Sequence, residues 1–187
     1  SLLTQDFSNW TLPVINNMDY MFQGTTAMTT FRGKGMHITG TARNGRRASV
    51  KYMFNNSGMT DFYGDEMIID GDIDLIYMFT DAANLQNFWG NGMLIDGGLY
   101  TDPDTGSTTP GNSVLTYDMF FNNTAPFYFH GGGMEIRNNT MEFMFQGCKG
   151  AYSFDAEGTM NLNGVTSLYG MFNGIYSIEG GGTGHNI

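Results

Sequence analysis

The sequence predicts a repeat solenoid of about six short coils, β-rich overall, each coil a short strand plus a one-turn helix. Three observations predict it. The pair Met-Phe recurs at Met21-Phe22, Met53-Phe54, Met78-Phe79, Met119-Phe120, Met144-Phe145 and Met171-Phe172, in steps of 32, 25, 41, 25 and 27 residues. Further apolar columns follow each pair at fixed offsets. The chain also holds 27 Gly among 187 residues, enough to turn a corner several times per coil. Units of this length cannot bury an apolar face alone, so they must stack on one another.

The strand comes from "GKGMHI", "GNGMLI" and "GGGMEI", one segment written three times, with Met36, Met93 and Met134 two positions before Ile38, Ile95 and Ile136. Alternation of apolar and other residues is the period of a short strand. Ten residues after the anchor Met an aromatic recurs at Phe31, Phe88, Phe129 and Phe154, with Phe62 one position early. The helical turn comes from Met18, Val50, Leu75, Met141 and Leu168, each three before an anchor Met, which completes an i, i+3, i+4 spacing. Thr116 breaks that column once. The twelve Met-Phe residues are therefore expected as structural core. The longer steps place insertions at 40–48 and 97–113 within one domain spanning 1–187, and the Gly-rich 180–187 reads as a flexible tail.

Composition narrows the function. Charged residues are 14%, against roughly 25% in average domains, and the net charge is −10. Nucleic acid and anionic membranes are disfavoured as partners. No apolar run approaches the ~20 residues of a membrane span. Residues 1–56 carry six basic and two acidic side chains, +4. Residues 57–187 carry two basic and sixteen acidic ones, −14. That asymmetry suits contact between copies of the chain. Cys148 is the only cysteine, so no intrachain disulfide forms.

No nucleophile elbow, phosphate loop or His/Cys metal spacing occurs, so no catalytic or cofactor-binding residue is expected. His37, His130 and His185 are far apart in sequence, and His37 should face outward. Glu135 is the only acid inside a Gly-Met-x-Ile segment, where a carbohydrate-active enzyme would need a pair. Calcium is the one cofactor worth testing. Asp102 and Asp104 open a D-x-D-x-G run, and Asp70 and Asp72 lie in an acidic cluster. Arg43, Arg46, Arg47, Tyr100, Asp102 and Asp104, in or beside the insertions, are the expected interaction residues.

The stretch Thr4 to Met28 resembles the repeat of BspA-like bacterial surface proteins, which is related to leucine-rich repeats. Gln5-Asp6, Ser8-Asn9-Trp10, Val14, Met18 and Met21-Phe22 carry the resemblance, Gly164 to Gly174 repeats its second half, and Met144 to Cys148 fits its Cys variant. Middle units hold Gly-x-Gly-Met-x-Ile where that family has Trp-Asp-Val-Ser. The chain opens within a unit, which leads us to expect further coils or a cap before it. The resemblance implies a leucine-rich-repeat-like coil in a non-enzymatic extracellular or surface-exposed module. Its partner would be a protein or glycan on another surface, at a cell envelope or on a virus particle. The alternative is a structural subunit of a fibre, surface layer or particle that binds copies of itself.

Overall fold

Two kinds of corner and three short strands make each of the four middle coils. The computed structural model describes residues 3–41, 47–97, 99–101, 108–110, 114–125, 127–137, 139–148, 151–155 and 160–175. The first sheet has six parallel strands in chain order: Leu3–Asp6, Met28–Arg32, Asp61–Tyr63, Asn87–Trp89, Phe127–His130 and Ala151–Asp155. The second has five: Thr11–Ile15, His37–Gly40, Ile68–Gly71, Leu94–Asp96 and Glu135–Arg137. The third, also of five, joins Ala48–Ser49, Ile73–Asp74, Val114–Leu115, Asn139–Thr140 and Val165–Ser167. Each coil visits the three sheets in turn, so strands next to each other in space are one coil apart in sequence.

The expected leucine-rich-repeat-like coil with a one-turn helix is corrected by this architecture. The described residues contain no helix. The residue before each anchor Met has positive φ, 52–61° at Tyr20, Tyr52, Tyr77, Asp118, Phe143 and Gly170. A helix needs an unbroken run of negative φ. Instead the anchor N–H closes a β-turn onto the residue three before it, as Met53 does onto Val50 O at 3.3 Å and Met78 onto Leu75 O at 3.1 Å. A further turn closes four residues after each anchor, as Thr25 N–H does onto Phe22 O at 3.4 Å, again through a left-handed residue at its third position: Gly24, Asn56, Asp81, Asn122, Gly147 and Gly174. Successive turns and one helical turn share the same i, i+3 spacing, which is why the apolar pattern alone did not separate them.

The second corner is Gly-x-Gly-Met. Gly35, Glu66, Gly92 and Gly133 have φ of 57–68°, and the following Met donates back to Gly33, Gly64, Gly90 or Gly131 at 2.9–3.0 Å. The first Gly of each turn faces the ring two residues earlier. A Cβ at Gly64 would lie 2.5 Å from Phe62 Cε1.

Two phenylalanine ladders fill the core. Phe31, Phe62, Phe88 and Phe129 stack at 5.0–5.2 Å with planes within 8°. Phe22, Phe54, Phe79, Phe120, Phe145 and Phe172 stack at 5.0–5.7 Å, and the two ladders meet edge to face. Eight of the twelve anchor residues are buried, from Met53-Phe54 to Met144-Phe145. Met21 departs from its expected core role: it is 50% exposed, because coil 1 is covered on one side only. Phe22, Met171 and Phe172 are partly buried for the same reason. The break at Thr116 is absorbed by a hydrogen bond, its buried hydroxyl donating to Thr140 O at 2.8 Å. Cys148 is buried and free, donates to Phe120 O at 3.1 Å, and is pushed up to about 12 by burial.

Asp118 is the exception among the left-handed residues. It is 4% exposed, with Oδ1 unpartnered among the described residues. Burial raises its carboxyl above the usual range, with the Tyr77 hydroxyl pulling the other way. The folded chain therefore holds this proton at a pH where the unfolded chain has released it. The resulting penalty is absent below the ordinary value of 3.8 and grows as pH rises through the raised one. Asp118→Asn keeps a residue tolerant of positive φ and removes the charge. It is expected to stabilise by roughly 0.5–1 kcal/mol at neutral pH, after allowing for solvent screening. Thermal denaturation at pH 7 and pH 4 checks this, the gain shrinking at the lower pH.

Candidate interaction surfaces

The outside of the first sheet carries a row built by register alone. Arg32 pairs with Tyr63, Tyr63 with Trp89 and Trp89 with His130, one residue per coil. Arg32 Cζ stands 4.8 Å over the Tyr63 ring. Tyr63 and Trp89 stack at 6.1 Å, Trp89 and His130 at 3.7 Å, all within 4° of parallel. Ring faces are thus turned to one another along the solenoid. Trp89 Nε1 has no hydrogen-bond partner among the described residues. A second outer stack, Tyr20–Tyr52–Tyr77, runs at 5.1–5.2 Å beside the Met-Phe corner. The tyrosines flanking the anchors are legible in sequence as contact residues; the row on the first sheet is not, its signal being only the residue after each core Phe of that sheet.

The basic cluster has a different role from the one its composition suggests. Lys34 reaches Glu66 at 3.3 Å, His37 reaches Asp70 at 2.9 Å, Arg47 reaches Asp72 at 3.1 Å and Lys51 reaches Asp74 at 2.8 Å. All four pairs join coil 2 to coil 3. Three of the six clustered cations, Lys34, Arg47 and Lys51, are therefore paired inside the molecule. The Lys34 pair is well exposed and contributes little, whereas Asp74 and Asp72 are mostly covered. Burial raises the Asp72 carboxyl, with Arg47 opposing.

The expected interaction residues divide accordingly. Arg47 is engaged with Asp72. Tyr100 lies on the strand Leu99–Thr101, which forms an antiparallel hairpin with Thr108–Pro110. Arg43, Arg46, Asp102 and Asp104 lie outside the described residues, as does His185. Both insertions leave from the corner between the second and third sheets, after Gly40 and after Asp96. Of the calcium candidates, Asp70 and Asp72 each face a cationic or imidazole partner, and among the described residues no three His, Cys, Asp or Glu could share a metal ion. Glu135 is held by Arg137 Nη2 at 2.7 Å and by Asn161 Nδ2 at 3.0 Å. No helix of the described residues is long and apolar enough to cross a membrane.

The two ends of the solenoid are the remaining surfaces. Coil 1 opens an apolar cavity of about 470 Å³ lined by Phe7, Trp10, Leu12, Met18, Met21 and Phe22, among others. Trp10 and Tyr20 are about half exposed there, and at coil 6 Tyr169 is 71% exposed. No known family model, curated protein or solved structure matches the chain.

Proposed function

We propose that the chain is a non-enzymatic, surface-exposed repeat module for adhesion, docking to a protein or glycan on another surface. One observation carries this reading: the row Arg32–Tyr63–Trp89–His130 lies outside the core, yet stays in register over four coils. Rows of Arg, Tyr and Trp are the residue types that dominate binding energy at interfaces. The rigid ladder core beneath holds them at fixed spacing with little ordering cost on docking. The resemblance of the first unit to bacterial surface repeats supports the same reading.

The test is binding of the fluorescently labelled chain to arrayed oligosaccharides and arrayed proteins. The double variant Arg32→Ala/Trp89→Ala should lose affinity at least ~30-fold, the effect of removing one hot spot of about 2 kcal/mol. Its circular dichroism should be unchanged. Equal binding by variant and wild type would refute the role of the row.

A further inference from the structure

We infer that Tyr52 and Tyr77 form a site of oxidative cross-linking. A one-electron oxidant couples the two phenols into a dityrosine that ties coil 2 to coil 3, and Asp118 takes the hydroxyl proton of Tyr77. The docking row on the first sheet plays no part in it. Three features of these middle coils point to the site.

The first is the approach of the rings. Tyr52 and Tyr77 each precede their anchor Met and share one left-handed conformation, φ 55° and 59°. Their Cα–Cβ bonds therefore leave the backbone in the same direction, one coil apart. Phe54 N–H donates to Met78 O at 2.9 Å and holds the two corners together. The rings lie face to face, with centroids 5.1 Å apart and planes 17° from parallel. In a phenoxyl radical the unpaired electron occupies a π orbital whose lobes stand perpendicular to the ring, on the oxygen and on the carbons ortho and para to it. Stacked rings aim those lobes at each other, and phenols held this close react as though at very high concentration.

The second is the choice of partners. Tyr77 meets Phe121 edge on at 6.2 Å, Tyr63 stacks on Trp89, and Tyr117 and Tyr169 both stand edge to face with Phe143. None of these contacts joins two phenols. Tyr52 and Tyr77 are half-buried, within reach of a small oxidant. Tyr20 covers the other face of Tyr52 at 5.2 Å, so no phenol of a second molecule can lie on that ring.

The third is a proton acceptor at the Tyr77 end of the stack. Asp118 takes the same column in coil 4, where a fourth ring would continue the row. Its carboxyl is buried, with Oδ1 unpartnered among the described residues. Burial raises that carboxyl, and a hydrogen bond from the Tyr77 hydroxyl opposes the rise. A raised carboxylate is the better base toward a phenol that is losing an electron. This selects Tyr77 rather than Tyr20 as the partner of Tyr52.

Each phenol gives one electron to the oxidant, while the Tyr77 proton passes to Asp118 and the Tyr52 proton to water. The two unpaired electrons become a carbon–carbon bond between ring positions ortho to the oxygens. The hydrogens on those carbons then leave as protons and the oxygens regain theirs, which restores both aromatic rings. The net loss is two electrons and two protons, which convert one hydrogen peroxide into two waters.

The test treats the full chain, kept dilute, at pH 7 with hydrogen peroxide and a haem peroxidase. A parallel sample receives a light-driven ruthenium one-electron oxidant, which needs no docking of an enzyme. The expected product is a monomer with dityrosine fluorescence. Proteolysis should release a joined pair of peptides holding Tyr52 and Tyr77, two hydrogens lighter than their sum. Tyr52→Phe keeps the ring and should lower the yield at least ~10-fold. The bond closes a loop of about 25 residues and should raise the melting temperature by roughly 5–10 °C. Asp118→Asn, expected to be the more stable fold, should nevertheless couple at least ~10-fold more slowly, a split that a merely structural role does not give. No dityrosine with either oxidant, dityrosine between molecules only, or coupling of Tyr52 to Tyr20 alone would overturn the site. A wild-type coupling rate in Asp118→Asn would overturn the role of Asp118 as proton acceptor.

Discussion

Phe79→Ala is expected to lower stability by about 4 kcal/mol and the melting temperature by roughly 8–15 °C, at the upper end for a single truncation in the core. Phe79 is fully buried in coil 3. Its ring stacks on Phe54 at 5.1 Å and on Phe120 at 5.0 Å, and it receives the edges of Phe62 at 5.0 Å and Phe88 at 5.6 Å. Four aromatic contacts on three coils are lost together. The cavity cannot collapse readily, because every neighbouring ring is held in its own ladder by the coil beyond. Phe22→Ala supplies the comparison. That ring has neighbours on one side and is only partly buried, so about half the loss is expected. Because a solenoid couples only adjacent coils, removal at Phe79 weakens the junctions on both of its sides. Chemical denaturation of the two variants distinguishes the outcomes. Equal losses at Phe79 and Phe22 would mean that burial depth along the ladder does not set the energy.

The core was legible in sequence because stacking forces identical environments on equivalent positions. Met53, Phe54, Ile69 and Phe88 repeat as types since each sits on its own copy one coil away. Corners were not legible from apolar spacing. Met18, Met21 and Phe22 have the same separations whether the chain winds one helical turn or two successive β-turns. The distinguishing signal lay in the polar column three after each anchor, where only Gly, Asn and Asp occur: Gly24, Asn56, Asp81, Asn122, Gly147 and Gly174. Those are the residue types that accept positive φ at least cost. The third sheet escaped notice because strands such as Ala48–Ser49 and Ile73–Asp74 are two residues long and show no alternation. The outer row on the first sheet was hidden by its chemical variety. Arg32, Tyr63, Trp89 and His130 share a position and a stacking surface but no residue type. The basic cluster was read as a surface because its partners, Glu66 to Asp74, are distant in sequence and one coil away in space.

The second large effect comes from the smallest side chain. Gly71→Ala is expected to cost about 3 kcal/mol, from two sources that the repeat itself separates. Gly71 has φ +84°, which for an L-residue costs roughly 1–2 kcal/mol. Its added Cβ would also lie 2.3 Å from the carbonyl oxygen of Gly40, its register partner in coil 2. That oxygen accepts from Asp72 N–H at 3.2 Å, and Gly40 is itself confined, since a Cβ there would meet Ile73 Cβ at 2.6 Å. Backbone cannot swing aside as a flexible side chain would, so coils 2 and 3 must part, at roughly 1–3 kcal/mol of overpacking. The same separation stretches the ion pairs from Arg47 to Asp72 and from Lys51 to Asp74, both anchored at this junction. Gly92→Ala is the control. Gly92 also has positive φ, +65°, but its nearest obstacle is Glu66 Cγ at 3.7 Å. The equivalent positions in other coils hold Asn9 and Glu66, both at positive φ. It should therefore lose only the conformational part, about 1 kcal/mol, and Gly92→Asn less still. A difference of about 2 kcal/mol between the two alanine variants in urea denaturation isolates the close approach of the glycine corners. If the two variants lost equal stability, backbone contact between coils 2 and 3 would not be what requires glycine at position 71.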